Sequence, residues 1–107
     1  MRARFHPEAR IDFRSAAAHY AAIRAELGQC FYCHIDRLVA EIEAEPELFR
    51  IYRPPHVRRH FRRPFPYAVV YIVRPDDLLI LAVMHFKQPP SYWELRAAFD
   101  RLSDQSV

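Results

Sequence analysis

Through the first half of the chain, apolar positions recur every three or four residues. Ala9, Phe13, Ala16, Tyr20, Ile23 and Leu27 trace one face of a helix, with Arg10, Arg14 and Arg24 on the others. Pro7 suits the first helical turn and Glu8 its positive end, after a short strand at Arg4-Phe5. Gly28 reads as a left-handed C-cap, followed at once by a second helix with the stripe Phe31, Ile35, Leu38 and Ile42, ended by Pro46. So short a break predicts an antiparallel helical hairpin. From residue 49 the period becomes two. Phe49 to Tyr52, Val57 to Phe61, Ala68 to Val73 and Leu78 to Met84 read as strands, separated by Pro54-Pro55, Phe65-Pro66-Tyr67 and Pro75-Asp76-Asp77. The last two runs are the most apolar and are expected to be central, buried on both faces, with the hairpin on one of them. Ser91-Tyr92-Trp93-Glu94 has capping-box spacing, which predicts a final helix from Tyr92 to Leu102. The class is α+β: an N-terminal strand, a helical hairpin, a three- to four-stranded antiparallel sheet and a short C-terminal helix.

With 107 residues, no repeat and no linker, the chain is expected to form one domain over 1–107. Hydrophobic residues make up 51% and aromatic residues 14%, enough to drive a core. One Gly, two Cys and no apolar run near about 18 residues argue against collagen-like, disulfide-stapled and membrane-spanning chains. Met1 to Pro7 carries no apolar leader core, so a cytoplasmic protein is expected.

The formal charge of +3 hides a strong segregation. Residues 1–49 hold six Arg against eight acids, and residues 75–107 hold three bases against five acids. Between them stand Arg50, Arg53, Arg58, Arg59, Arg62, Arg63 and Arg74, with no acid at all. Charged strand edges block aggregation, which is one reading of this block. The other is a basic sheet face: Arg58, His60 and Arg62 alternate to one side and Arg59 and Phe61 to the other, which suits a nucleic-acid backbone or an acidic partner segment. Cys30-Phe31-Tyr32-Cys33 lies inside a helix pattern, so its thiols are expected to pack between helices, and no metal or cofactor is called for. His85 follows the most apolar strand, with Lys87 and Tyr92 soon after. These are residue types that move protons and stabilise a phosphorane, although a His at a strand exit is often structural.

Phe5-His6-Pro7-Glu8-Ala9, Leu27-Gly28, Pro46-Glu47-Leu48-Phe49, Arg58-Arg59, Phe65-Pro66-Tyr67, Leu81 to His85 and Pro90-Ser91-Tyr92-Trp93 run in an order that resembles RelE/ParE-type toxins, over about residues 4–96. The resemblance implies the toxin of a type II toxin-antitoxin module, of the kind also called plasmid stabilisation proteins. It implies as partner an antitoxin encoded by an adjacent gene, whose flexible segment wraps the toxin in a hetero-oligomer. RelE-like members cut mRNA on the ribosome, whereas ParE-like members inhibit DNA gyrase. For a nuclease, the resemblance offers His85 as general acid or base, Lys87 and Arg63 as stabilisers and Tyr92 as proton donor. Ala68 and Gln88 stand where nuclease members carry cations, which favours ParE-like inhibition with the RelE-like mRNA interferase as alternative. Arg58, Arg59, His60, Arg62, Arg63 and Trp93 are then the expected target- or antitoxin-binding surface.

Overall fold

The computed structural model describes residues 1–97. Strand β1 (Ala3–Phe5) leads into helices α1 (Pro7–Ile23) and α2 (Ala25–Ala44). Strands β2 (Ile51–Arg53), β3 (Val57–His60), β4 (Tyr67–Val73) and β5 (Leu78–His85) follow. A last helix, α3, occupies residues 91–97, and the rest of the helix expected to Leu102 lies outside the described residues. The strands form one sheet in the order β1-β5-β4-β3-β2. β2 to β5 are antiparallel to their neighbours, and β1 joins the β5 edge in parallel, which brings the count to five.

Local chemistry sets the helix boundaries. His6 caps α1, its Nδ1 accepting from the Glu8 N–H at 3.0 Å, with Pro7 at the first helical position. The stripe from Ala9 to Tyr20 faces the sheet, but Ile23 is 65% exposed and Leu27 belongs to the second helix. The break between helices comes at Arg24, in extended backbone, and not at Gly28. Gly28 has no positive φ and lies inside α2, where a β-carbon would sit 2.6 Å from the Ala21 Cβ. It is glycine because the two helices touch there. Phe31, Ile35, Leu38 and Ile42 of α2 are fully buried, as their spacing predicts. Cys30 and Cys33 are free and exposed, because their positions turn away from that stripe; they do not pack between helices.

Each sheet face carries its own core. The hairpin covers Val69, Tyr71, Leu78, Ile80 and Val83. On the opposite face Trp93 from α3 closes over Val70, Leu79, Leu81, Ala82 and Met84. β5 does not alternate cleanly between them. Tyr71 pairs with Ile80 but Val70 pairs with Ala82, so Leu81 is an extra residue bulged out of the ladder. Past the bulge the phase flips, and Val83 faces the hairpin together with His85.

Candidate functional site

The bulge aims His85 at α1. A cleft of about 260 Å³ lies there, lined by Asp12, Ser15 and His19 from α1, Tyr67 and Val83 from the sheet, His85, and Gln88 beyond it. His85 packs edge-on against the Tyr67 ring at 5.0 Å, and its Nδ1 accepts the Lys87 N–H at 3.0 Å. The Gln88 side chain in turn accepts the His85 N–H at 2.9 Å. The imidazole is thus fixed by its own turn, with Nε2 left for the cleft.

Asp12 holds the bulge in place. β1 covers β5 only from Leu78 to Ile80, leaving polar groups further along that edge without a ladder partner. The Asp12 carboxylate accepts the Val83 N–H at 3.2 Å and the Tyr92 hydroxyl at 3.4 Å. It also takes two bonds from the Arg96 guanidinium, at 2.7 and 3.3 Å, while the same guanidinium donates to the Leu81 carbonyl at 2.9 Å. Their side chains are 15% and 11% exposed. One nearly buried ion pair therefore fastens α3 to α1 and satisfies the bulge from both sides. Burial, and then the negative charge of Asp12, push the Tyr92 hydroxyl well above its ordinary range.

The four residues proposed for phosphoryl chemistry do not converge. Only His85 lines the cleft. Lys87 is exposed beside it, Arg63 is exposed in the loop after β3 with no partner among the described residues, and the Tyr92 hydroxyl is committed to Asp12. No Lys or Arg lines the cleft among the described residues, and its acid is Asp12.

The basic block is largely occupied by the fold itself. Its alternation is as the pattern predicts, but the face of Arg58, His60 and Arg62 meets the end of the hairpin. Arg58 donates to the Glu47 and Phe49 carbonyls at 3.1 and 2.6 Å. His60 is 7% exposed, stacks on Phe49 at 3.7 Å and bonds Glu41 at 2.9 Å. Arg62 donates to the same carboxylate at 2.8 Å. These bonds from Arg62 and then His60 bring the Glu41 carboxyl down to about 2, while burial lowers His60. Arg53 pairs with Glu94, and Arg74 forks onto Asp77. Two residues assigned to a binding surface are thus core residues: His60, and Trp93 at 1% exposure. Trp93 is buried because an indole is the largest plug available for the outer core.

Sequence reasoning missed Asp12 and Arg96, and it considered His19 only as a further metal ligand beside Cys30 and Cys33, not as part of this cleft. A signal for Asp12 was present. It stands three residues after Ala9 and four before Ala16, which sets a carboxylate on the buried flank of α1, where it needs a cation. Arg96, 84 positions away, gives no local sign of being that cation.

A helical hairpin on a mainly antiparallel sheet is the architecture expected of a RelE/ParE-type toxin. The chain belongs to the ParE toxin family: the family described as "ParE toxin of type II toxin-antitoxin system, parDE" matches residues 3–90. A solved structure described as "Chromosomal ParDE TA system from P. aeruginosa" is similar with a TM-score of 0.70, covering 79% of this chain and 95% of that one. Its sequence identity is 19%, so this likeness speaks for the fold. No curated protein matches the sequence. Among the described residues, no helix is long and apolar enough to cross a membrane.

Proposed function

We propose that this toxin arrests growth by binding a large target, DNA gyrase first among the candidates, and that a cognate antitoxin holds it inactive. Family membership supports the toxin-antitoxin role. The observation favouring binding over nuclease chemistry is the cleft itself. A 2′-hydroxyl attack on phosphate builds negative charge, which needs cations aimed at the developing phosphorane. The described cleft lining offers a carboxylate and no Lys or Arg. A second reading, a ribosome-dependent mRNA endonuclease, is favoured by one feature: His85 and His19 share the cleft, so two imidazoles are available for proton transfer.

The two readings separate on induction of the chain alone, with DNA and protein synthesis followed over the first minutes. Binding inhibition predicts that DNA synthesis falls first, that purified toxin blocks gyrase supercoiling, and that His85→Ala still does so. Early loss of translation with cut mRNA, abolished by His85→Ala, would replace the first reading with the second.

A further inference from the structure

On the sheet face opposite the hairpin, a file of aromatic and guanidinium groups runs outward from α3. Trp93 lies 6.0 Å from Tyr52, and the Arg59 guanidinium sits 4.2 Å over the Tyr52 ring and 5.5 Å from Phe61. Phe61 meets Phe86 edge-on at 5.1 Å. The file is buried at Trp93, yet it ends in two phenyl rings that are 45% and 46% exposed. Those rings come from different loops, after β3 and after β5, and they meet each other at the surface. Two adjoining half-exposed rings offer an apolar surface that a partner's side chain can cover.

The surrounding charge says what kind of partner fits. Arg62, Arg63 and Lys87 are exposed within two residues of the rings, and residues 50–74 contain no acid. Among these cations Arg62 is paired with Glu41, while Arg63 has no partner among the described residues. An apolar centre with a cationic rim complements an acidic segment bearing an apolar side chain.

We propose that the Phe61–Phe86 pair, rimmed by Arg59, Arg63 and Lys87, is the docking site for an acidic, extended segment of the antitoxin with one large apolar side chain seated on the rings. The inference rests on the reading that an antitoxin binds this chain, and it adds where one of its segments binds and by what chemistry. Two classes of contact are expected, separable by salt. The apolar seat is insensitive to salt, whereas the exposed Arg63 and Lys87 contribute an attraction that salt screens.

The test measures the affinity of the full chain for the adjacent gene's product, with wild type, Phe61→Ser/Phe86→Ser and Arg63→Glu/Lys87→Glu. All four positions are exposed, and unchanged far-ultraviolet circular dichroism checks that the variants fold. The serine pair is expected to weaken binding by about tenfold or more at every salt concentration. The charge reversal is expected to weaken it mainly at low salt and to flatten the salt dependence. Unchanged affinity in both variants, with a tight wild-type complex, overturns this docking site and leaves the toxin-antitoxin reading standing. No complex with wild type overturns both. Concentration-dependent dimerisation, or binding of a single-stranded oligonucleotide, that is lost in the serine pair while antitoxin affinity is unchanged assigns the rings to a second copy or to nucleic acid, and overturns it too.

Discussion

Asp12→Ala is the most informative single change. It removes the acceptor for Val83 N–H, for the Tyr92 hydroxyl and for both Arg96 nitrogens, and it leaves a guanidinium only 11% exposed without a carboxylate. Breaking one half of a buried pair costs about 3–5 kcal/mol, because the surviving charge stays desolvated. Against a total stability of about 5–15 kcal/mol, that lowers Tm by about 10 °C or more. The chain supplies its own reporter. Trp93 is the sole tryptophan, and it rides on the helix that Arg96 fastens. Urea unfolding followed by Trp93 fluorescence and by far-ultraviolet circular dichroism therefore reads α3 and the whole fold separately. We expect the fluorescence midpoint of Asp12→Ala to fall below its dichroism midpoint, as α3 leaves first. In a cycle with Arg96→Met, the second substitution should cost about 2 kcal/mol less than it does alone. A loss under about 1 kcal/mol for Asp12→Ala, or strict additivity in the cycle, would refute the claim that this pair anchors the bulge.

Other expectations follow from single contacts. Gly28→Ala should destabilise by about 1–3 kcal/mol despite a helix-propensity gain of about 1, since its methyl would lie on Ala21; a stabilised variant in a thermal melt would contradict the close helix contact. Leu81→Ala should cost about 2–5 kcal/mol by urea denaturation, because this bulged side chain is fully buried under Trp93. Glu41 is held at about 2 in the fold against an ordinary 4.5, so its contribution is complete above pH 4.5 and is lost as pH falls toward 2. His60, lowered by burial, adds a loss beginning as pH drops below 6.5. Glu41→Gln should therefore flatten the acid limb of a Tm-against-pH curve below pH 4.5, and identical limbs would remove Glu41 from acid sensitivity.

What could be read from the sequence was whatever one element decides alone. The α2 stripe fixes its buried face by spacing, and the strands announce themselves by apolar runs between prolines. Gly28 was misread because a helix-ending glycine and a helix-contact glycine look alike without Ala21 beside them. The β5 bulge has no sequence mark. In a run that is apolar at every position, a shift of phase moves no polar residue to a wrong face. His85 was legible as a strand-end histidine, but its direction depends on that hidden shift. The Arg block was legible as charge, whereas its partners, from Glu41 to the Phe49 carbonyl, are tertiary facts.

The same distinction bears on how the toxin works. An arginine bonded to a carbonyl or carboxylate of its own chain gives up those bonds, or its packing, before it grips a phosphate. Arg58, Arg62, Arg53 and Arg74 are in that position, each with a short contact inside the fold. What the basic block leaves for a partner is Arg50 and Arg63, both exposed with no side-chain partner among the described residues, together with the exposed rings of Phe61 and Phe86, next to Lys87. The histidine cleft opens on the hairpin side, whereas the ring pair continues the file on the opposite face, and the bulged β5 serves both. Its last residue, His85, turns to the cleft and Phe86 to the rings. The cleft and the ring pair are thus built on successive residues of one turn, so a substitution that breaks the His85–Gln88 hydrogen bond is expected to disturb both.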